Sequence, residues 1–213
     1  MKIAFLYAGQ GSQRVGMGRD LYDASPAFRA AFDAGHLDFD LHALCFEGAQ
    51  ETLNQTQYTQ PCMVAFACGV TAALFDAGLR PDYAAGLSLG EYSALEASGV
   101  LTAQSAIELA AYRGAAMAKA SEGIQSAMTA VLGLDREALM RCCDEAGALG
   151  VVQICNYNCP GQIVIGGEAA AVARAGELAK EAGARRLLPL RVSGPFHTPL
   201  MRPAAEALHE RFQ

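Results

Sequence analysis

The stretch best suited to covalent chemistry is a serine between two glycines, Gly86-Leu87-Ser88-Leu89-Gly90. A short apolar run, Tyr83-Ala84-Ala85, leads into it, and a helix-forming run, Glu91-Tyr92-Ser93-Ala94-Leu95, leads away. In a strand–turn–helix setting, the pattern Gly-x-Ser-x-Gly lifts the serine hydroxyl off the end of a sheet at a sharp corner. Glycines two before and two after leave room for the turn to close. The first N–H groups of the following helix, and the positive end of its dipole, point at the same spot. A negative charge developing on a substrate carbonyl would be stabilised there. Without that setting the pattern is a chance spacing in a Gly-rich chain; with it, Ser88 is the candidate nucleophile.

A serine nucleophile needs a base. Of four histidines, only His197 sits in a tight loop bounded by Gly and Pro, Ser193-Gly194-Pro195-Phe196-His197-Thr198-Pro199. It follows the serine in the chain, the order used by α/β-hydrolase-type sites. As general base it would take the Ser88 proton and later return it to a leaving group. The alternative is a solvated loop histidine. His36, His42 and His209 have no comparable setting.

A second anomaly is Arg113, the one charged residue in the run Leu109-Ala110-Ala111-Tyr112-Arg113-Gly114-Ala115-Ala116-Met117-Ala118. Small residues on a helix imply close packing, and a packed guanidinium needs an anion. It either clamps a substrate carboxylate bidentately or pairs with a local carboxylate or reaches water. Upstream, Gly9-Gln10-Gly11-Ser12-Gln13 follows the first predicted strand. As a dinucleotide fingerprint it fails, because Arg14 stands where the third glycine belongs. It reads as a loop whose backbone N–H groups approach a ligand, or as an ordinary turn.

These residues must be positioned by a sizeable core, which 213 residues with 52% hydrophobic content can supply. A formal charge of −6 with no Lys/Arg block argues against a nucleic-acid partner. No apolar run approaches a membrane span, and the chain opens on a strand, Lys2 to Tyr7, instead of a secretory signal. The expectation is a cytoplasmic protein without a membrane partner. Seven cysteines lack zinc-site spacing and read as reduced structural thiols. No metal and no cofactor are expected.

The predicted elements run as follows. A helix starts at Ser25-Pro26, shorter pieces cover Leu41 to Phe46 and Ala49 to Asn54, and Gln60-Pro61 opens a long apolar, buried helix to Phe75. The corner helix runs to about Ser98, and Thr102 caps the helix that carries Arg113. Strand, helix, strand, strand, helix, strand then follow at Ser126–Leu132, Asp135–Ala146, Val151–Asn156, Gln162–Ile165, Glu168–Glu181 and Arg186–Leu190, with a turn at Asn158-Cys159-Pro160-Gly161. That order is the ferredoxin-like unit. The predicted fold is α/β: a hydrolase-like body with a parallel sheet and nucleophile elbow at 1–125 and 192–213, and an inserted ferredoxin-like β-α-β-β-α-β subdomain at 126–191.

Gly9-Gln10-Gly11-Ser12-Gln13, Gly86 to Leu95, Arg113, Asn158 to Gln162 and Gly194 to His197 together resemble bacterial malonyl-CoA:acyl-carrier-protein transacylases, and more loosely the acyltransferase domains of fatty-acid and polyketide synthases. Five co-linear motifs span essentially the whole chain. The resemblance implies that Ser88 carries the malonyl group as an ester and that His197 is its base. It implies an oxyanion hole from the backbone N–H groups of Gln10 and Leu89. It implies that Arg113 holds the malonyl carboxylate, and that Phe196 favours malonyl over bulkier branched groups. The implied substrates are malonyl-CoA and the pantetheine thiol of acyl carrier protein, with the coenzyme A thioester as substrate and no cofactor.

Three departures qualify it. Leu87 stands where the family usually has histidine, next to the nucleophile, and Tyr7-Ala8 replaces Phe-Pro. Family members also continue well beyond the position of Gln213, adding strands to the main sheet and a backbone carbonyl that orients the histidine. On that comparison the chain is a piece of a longer one, or a second chain completes it, or its activity is impaired. Three functions therefore compete: the transacylase, an esterase or thioesterase using Ser88 and His197 with water, and a non-catalytic subunit that binds a partner.

Overall fold

The computed structural model describes residues 2–190 and 192–213, in two units, Met1–Ala115 and Ala116–Gln213. The first unit holds β1 (Ala4–Tyr7), α1 (Arg19–Ala24), α2 (Pro26–Phe32), α3 (Leu41–Glu47), α4 (Gln50–Leu53), α5 (Thr56–Asp76), β2 (Tyr83–Gly86), α6 (Gly90–Ala97) and most of α7 (Ala103–Ala120). Caps set several starts: Ser25 accepts from Phe28 N–H, Asp40 from Ala43 N–H, and Thr102 from Ser105 N–H.

Helix α5 begins at Thr56, one turn before the predicted start, with Pro61 inside it. The proline forfeits one backbone bond. Tertiary burial overrides that loss: Thr56, Thr59, Gln60 and Pro61 are all buried, and the Thr59 hydroxyl donates to the Leu53 and Gln55 carbonyls. The expectation that no apolar run approaches a membrane span is also corrected. By length and composition α5 could cross a membrane, but more than half of its apolar stretch is buried in protein. Cys62, Val64, Ala65 and Cys68 pack with Phe28, Phe32, Leu53 and Ile107 in one core, the place of a helix apolar on all sides.

Strands β1 and β2 pair in parallel, from Ala4 opposite Tyr83 to Tyr7 opposite Gly86. They end together, so the loops that follow them emerge side by side. The other edge of β1 has no strand partner among the described residues, and Leu6 is 80% exposed. Phe5, Leu6 and Tyr7 line a cleft of about 510 Å³ with Phe66, Val70 and Leu74 of α5.

The second unit holds β3 (Ser126–Leu132), α8 (Arg136–Ala146), β4 (Val152–Cys159), β5 (Gln162–Glu168), α9 (Ala169–Glu181), β6 (Arg186–Pro189) and α10 (Arg202–Arg211). The sheet order is β4-β5-β3-β6, antiparallel at each pairing. Alternation sends Val131, Ile163 and Ile165 to one face, against Leu139 of α8 and Val172 and Ala175 of α9. Met128, Ala130 and Val164 face the other way, covered by Met117, Phe196, Met201 and Ala204. Residues 116–125 and 192–213 thus share this unit with the sheet. Met1 and Arg191, the ends of the expected 1–125 and 126–191 segments, lie outside the described residues.

A polar island sits among β1, α5 and α6. The Tyr7 hydroxyl bonds Thr71 Oγ1 at 2.8 Å, and Thr71 donates to the Ala67 carbonyl. Glu96 of α6 faces the Cys68 thiol and the Tyr7 phenol. Its Oε2 is buried without a hydrogen-bond partner. Burial, opposed by the Cys68 bond, lifts the carboxyl from 4.5 to about 7. The native state therefore holds this proton more tightly than the unfolded chain does. Its contribution is complete below about 4.5 and is lost as pH rises through about 7. Glu96→Gln should remove that loss, leaving the variant about 1–2 kcal/mol more stable than the parent at pH 8, a figure discounted for partial exposure. Urea unfolding at pH 5 and pH 8 measures it; equal pH dependence in both proteins would contradict it.

Candidate active site

Ser88 occupies the corner between β2 and α6 in a left-handed conformation, φ 53°. Such a non-glycine residue costs about 1–3 kcal/mol and persists only where its surroundings dictate it. Here they do. A Cβ on Gly86 would strike the backbone of Gly90 and Glu91, and one on Gly90 would strike the Tyr7 carbonyl. A Cβ on Gly9 would lie 2.8 Å from the Leu87 carbonyl. Leu87 N–H donates to the Tyr7 carbonyl at 3.0 Å, and Gly90 N–H to the Leu87 carbonyl at 3.0 Å. The corner is thus pressed onto the end of β1. Leu89 anchors it from below, 1% exposed in the core, while Leu87 points outward, 48% exposed.

The loops after β1 and β2 lie side by side beyond the carboxyl ends of two parallel strands, where α/β sheets bind ligands. Among the described residues, the backbone N–H groups of Gln10 and Leu89 have no hydrogen-bond partner. Two unpaired donors on adjacent loops are of the kind that suits a developing oxyanion.

Arg113 of α7 reaches this corner. One guanidinium nitrogen donates to Ser88 Oγ at 3.0 Å and the other to Gln60 Oε1 at 2.8 Å. The cation also lies 5.8 Å from the centre of the Tyr92 ring. Gly114 lets α7 come this close to α5: a Cβ there would sit 2.8 Å from the Thr56 carbonyl. Arg113 is half-buried, and burial pulls its pKa below the ordinary range, partly offset by Tyr92 and Glu91. Among the described residues no carboxylate lies within 4.0 Å of it. The local ion pair left open by the sequence is therefore not made; its hydrogen-bond partners are a neutral amide and a hydroxyl.

Gln60 and Thr56 are site residues that sequence reasoning missed. Gln60 is fully buried, accepts from Arg113, and donates to Gln10 Oε1 at 3.5 Å. The Gln10 amide in turn donates to Thr56 Oγ1 at 3.1 Å. The available signal was a polar amide within an otherwise apolar buried helix, a placement that demands partners.

The second unit carries His197 and Phe196. His197 is exposed and, with Ser88, is one of two non-glycine residues of positive φ among those described, φ 60°. Its carbonyl accepts from Gln153 Nε2 at 2.8 Å. Phe196 is 6% exposed and packs in the cluster over Met128, Ala130 and Val164. No group of three or more metal-ligating side chains is close enough to hold an ion among the described residues. Burial pushes the Cys143 and Cys155 thiols up to about 12, as structural thiols require.

The acyl transferase domain family matches residues 4–213. The malonyl CoA-acyl carrier protein transacylase of Bacillus subtilis is 48% identical over 212 residues, covering 98% of this chain and 67% of the relative. That of Haemophilus influenzae is 46% identical, covering 97% and 68%. Among solved structures, the transacylase (MCAT) of Streptococcus pneumoniae superimposes with a TM-score of 0.93 at 49% identity, covering 99% of this chain and 70% of the other. A type II polyketide synthase malonyl-transacylase, solved in complex with its acyl-carrier protein, gives 0.94 at 42% identity, covering 99% and 69%.

The corner generates a stability prediction. Gly90→Ala places a methyl group against the Tyr7 carbonyl and should cost roughly 2–3 kcal/mol. Gly147→Ala, where a Cβ would meet nothing within 4 Å, should be neutral or stabilising by up to about 1 kcal/mol. Urea midpoints of the two variants test the contrast.

Proposed function

From a chain that belongs to the acyl transferase domain family, we propose an acyl-carrier-protein S-malonyltransferase, which moves malonyl from malonyl-CoA to the pantetheine thiol of acyl carrier protein through an ester on Ser88. The observation that carries this reading is Arg113. A half-buried cation whose hydrogen-bond partners are neutral, with one nitrogen on the candidate nucleophile, fits an acyl group that ends in a carboxylate. An uncharged acyl group would leave that cation unpaired.

In this reading Ser88 Oγ attacks the thioester carbonyl as His197 takes its proton. The tetrahedral oxyanion forms against the N–H groups of Gln10 and Leu89. Collapse expels coenzyme A as a thiol, with the proton returned by His197. The carrier thiol then attacks the ester by the reverse path, so the reaction is ping-pong. The coenzyme A thioester is the substrate and no cofactor takes part. Phe196 limits the size of the acyl group. Residues 1–125 and 192–213 form the hydrolase-like body with its nucleophile elbow, and 126–191 the inserted ferredoxin-like subdomain. Fatty-acid or polyketide synthesis in the cytoplasm is the setting. A second chain could lie along the open edge of β1, where Leu6 is exposed.

Mixing with malonyl-CoA should release one burst of coenzyme A, add a malonyl mass to the chain, and stall until holo acyl carrier protein is added. Steady release with water alone would favour an esterase. No label on a folded sample would favour a non-catalytic subunit. Ser88→Ala should abolish the label. Arg113→Ala should slow malonyl labelling by at least about 100-fold, the order of a lost charged contact, and acetyl labelling far less. Equal losses would remove the clamp role.

A further inference from the structure

His197 sits between two fixed neighbours. Phe196 is buried in the sheet-face cluster, and its N–H donates to the Gly194 carbonyl at 3.0 Å. Thr198 is buried, with its hydroxyl donating to the Pro195 carbonyl at 2.6 Å and its carbonyl accepting from Met201 N–H at 3.0 Å. The left-handed φ of His197 turns its own carbonyl toward β4. There the side-chain amide of Gln153 donates to it at 2.8 Å. A backbone carbonyl only accepts, so the amide must present its nitrogen. Gln153 itself is held in the sheet, opposite Gly166 of β5.

From this geometry we propose that Gln153 is a positioning residue for His197. By holding the peptide carbonyl, it keeps the backbone left-handed and so sets the direction of the Cα–Cβ bond and of the imidazole. A return to an ordinary backbone conformation would swing the ring away, and misplacing a catalytic group by about 1 Å costs up to 100-fold. The inference rests on the reading of His197 as the base.

The test uses two substitutions of similar length. Gln153→Met removes the donor; Gln153→Lys keeps one of comparable reach. Rapid-quench intact mass over a range of malonyl-CoA concentrations reads the maximal rate of Ser88 acylation and the half-saturating concentration. Gln153→Met should lower the maximal rate roughly tenfold with half-saturation unchanged, and Gln153→Lys should stay within about threefold of the parent. In a His197→Ala background, Gln153→Met should change nothing further. The inference is overturned by parental rates for Gln153→Met, by equal losses in both variants, or by an added loss on top of His197→Ala. Should His197→Ala acylate at the parental rate, the assignment of the base fails and this inference with it. An impaired His197→Ala beside an unimpaired Gln153→Met sinks the inference alone.

Discussion

Three stretches of backbone must touch for the serine corner to exist. The loop after β1, the turn at Ser88 and the first residues of α6 approach one another where any Cβ would intrude, and Gly9, Gly86 and Gly90 leave it out. The contact strains Ser88, yet it is what aims the site. It sets the loop that carries Gln10 beside the turn that carries Ser88 and Leu89, beyond the ends of two paired strands. In the proposed reading, donors fixed in this way would need no reorganisation when charge develops, which is why preorganisation is worth more than the same bonds made in water.

Arg113 adds the charge to this frame. Taking a guanidinium partly out of water is costly, and bonds to an amide and a hydroxyl offset only part of that cost. Gln60 is buried and tied to Gln10, so it fixes one arm of the fork. The other arm rests on Ser88. In the proposed reading, a carboxylate bound here would restore the missing counter-charge and compete for the one donor that otherwise lies on Ser88.

Features written as punctuation were legible in the sequence: the glycines of the corner, the helix starts at Ser25 and Thr102, and the β-α-β-β-α-β order of the second unit. The lone cation of a small-residue helix was legible too, because an isolated charge there has few explanations. What escaped was decided by tertiary contact. The start of α5 was misplaced because burial of Thr56 to Pro61 outweighs the proline. Gln60 and Gln153 looked like ordinary amides, since their meaning lies in partners more than 40 residues away in sequence.

Ser88 and His197 are held left-handed by different means, and the difference has consequences. Close packing around Ser88 leaves no alternative: the corner can relax only if β1, the turn and α6 separate, which would expose core. The carbonyl of His197 is held by a hydrogen bond at the protein surface. Such a bond contributes about 0.5–1.5 kcal/mol, against about 1–3 kcal/mol for the strain it opposes. A bond of that size offsets only part of such strain, and the rest falls to the contacts around the loop, including the buried neighbours Phe196 and Thr198. Of the two left-handed residues, Ser88 is fixed by backbone packing, whereas His197 depends in part on a surface amide that a single substitution can remove.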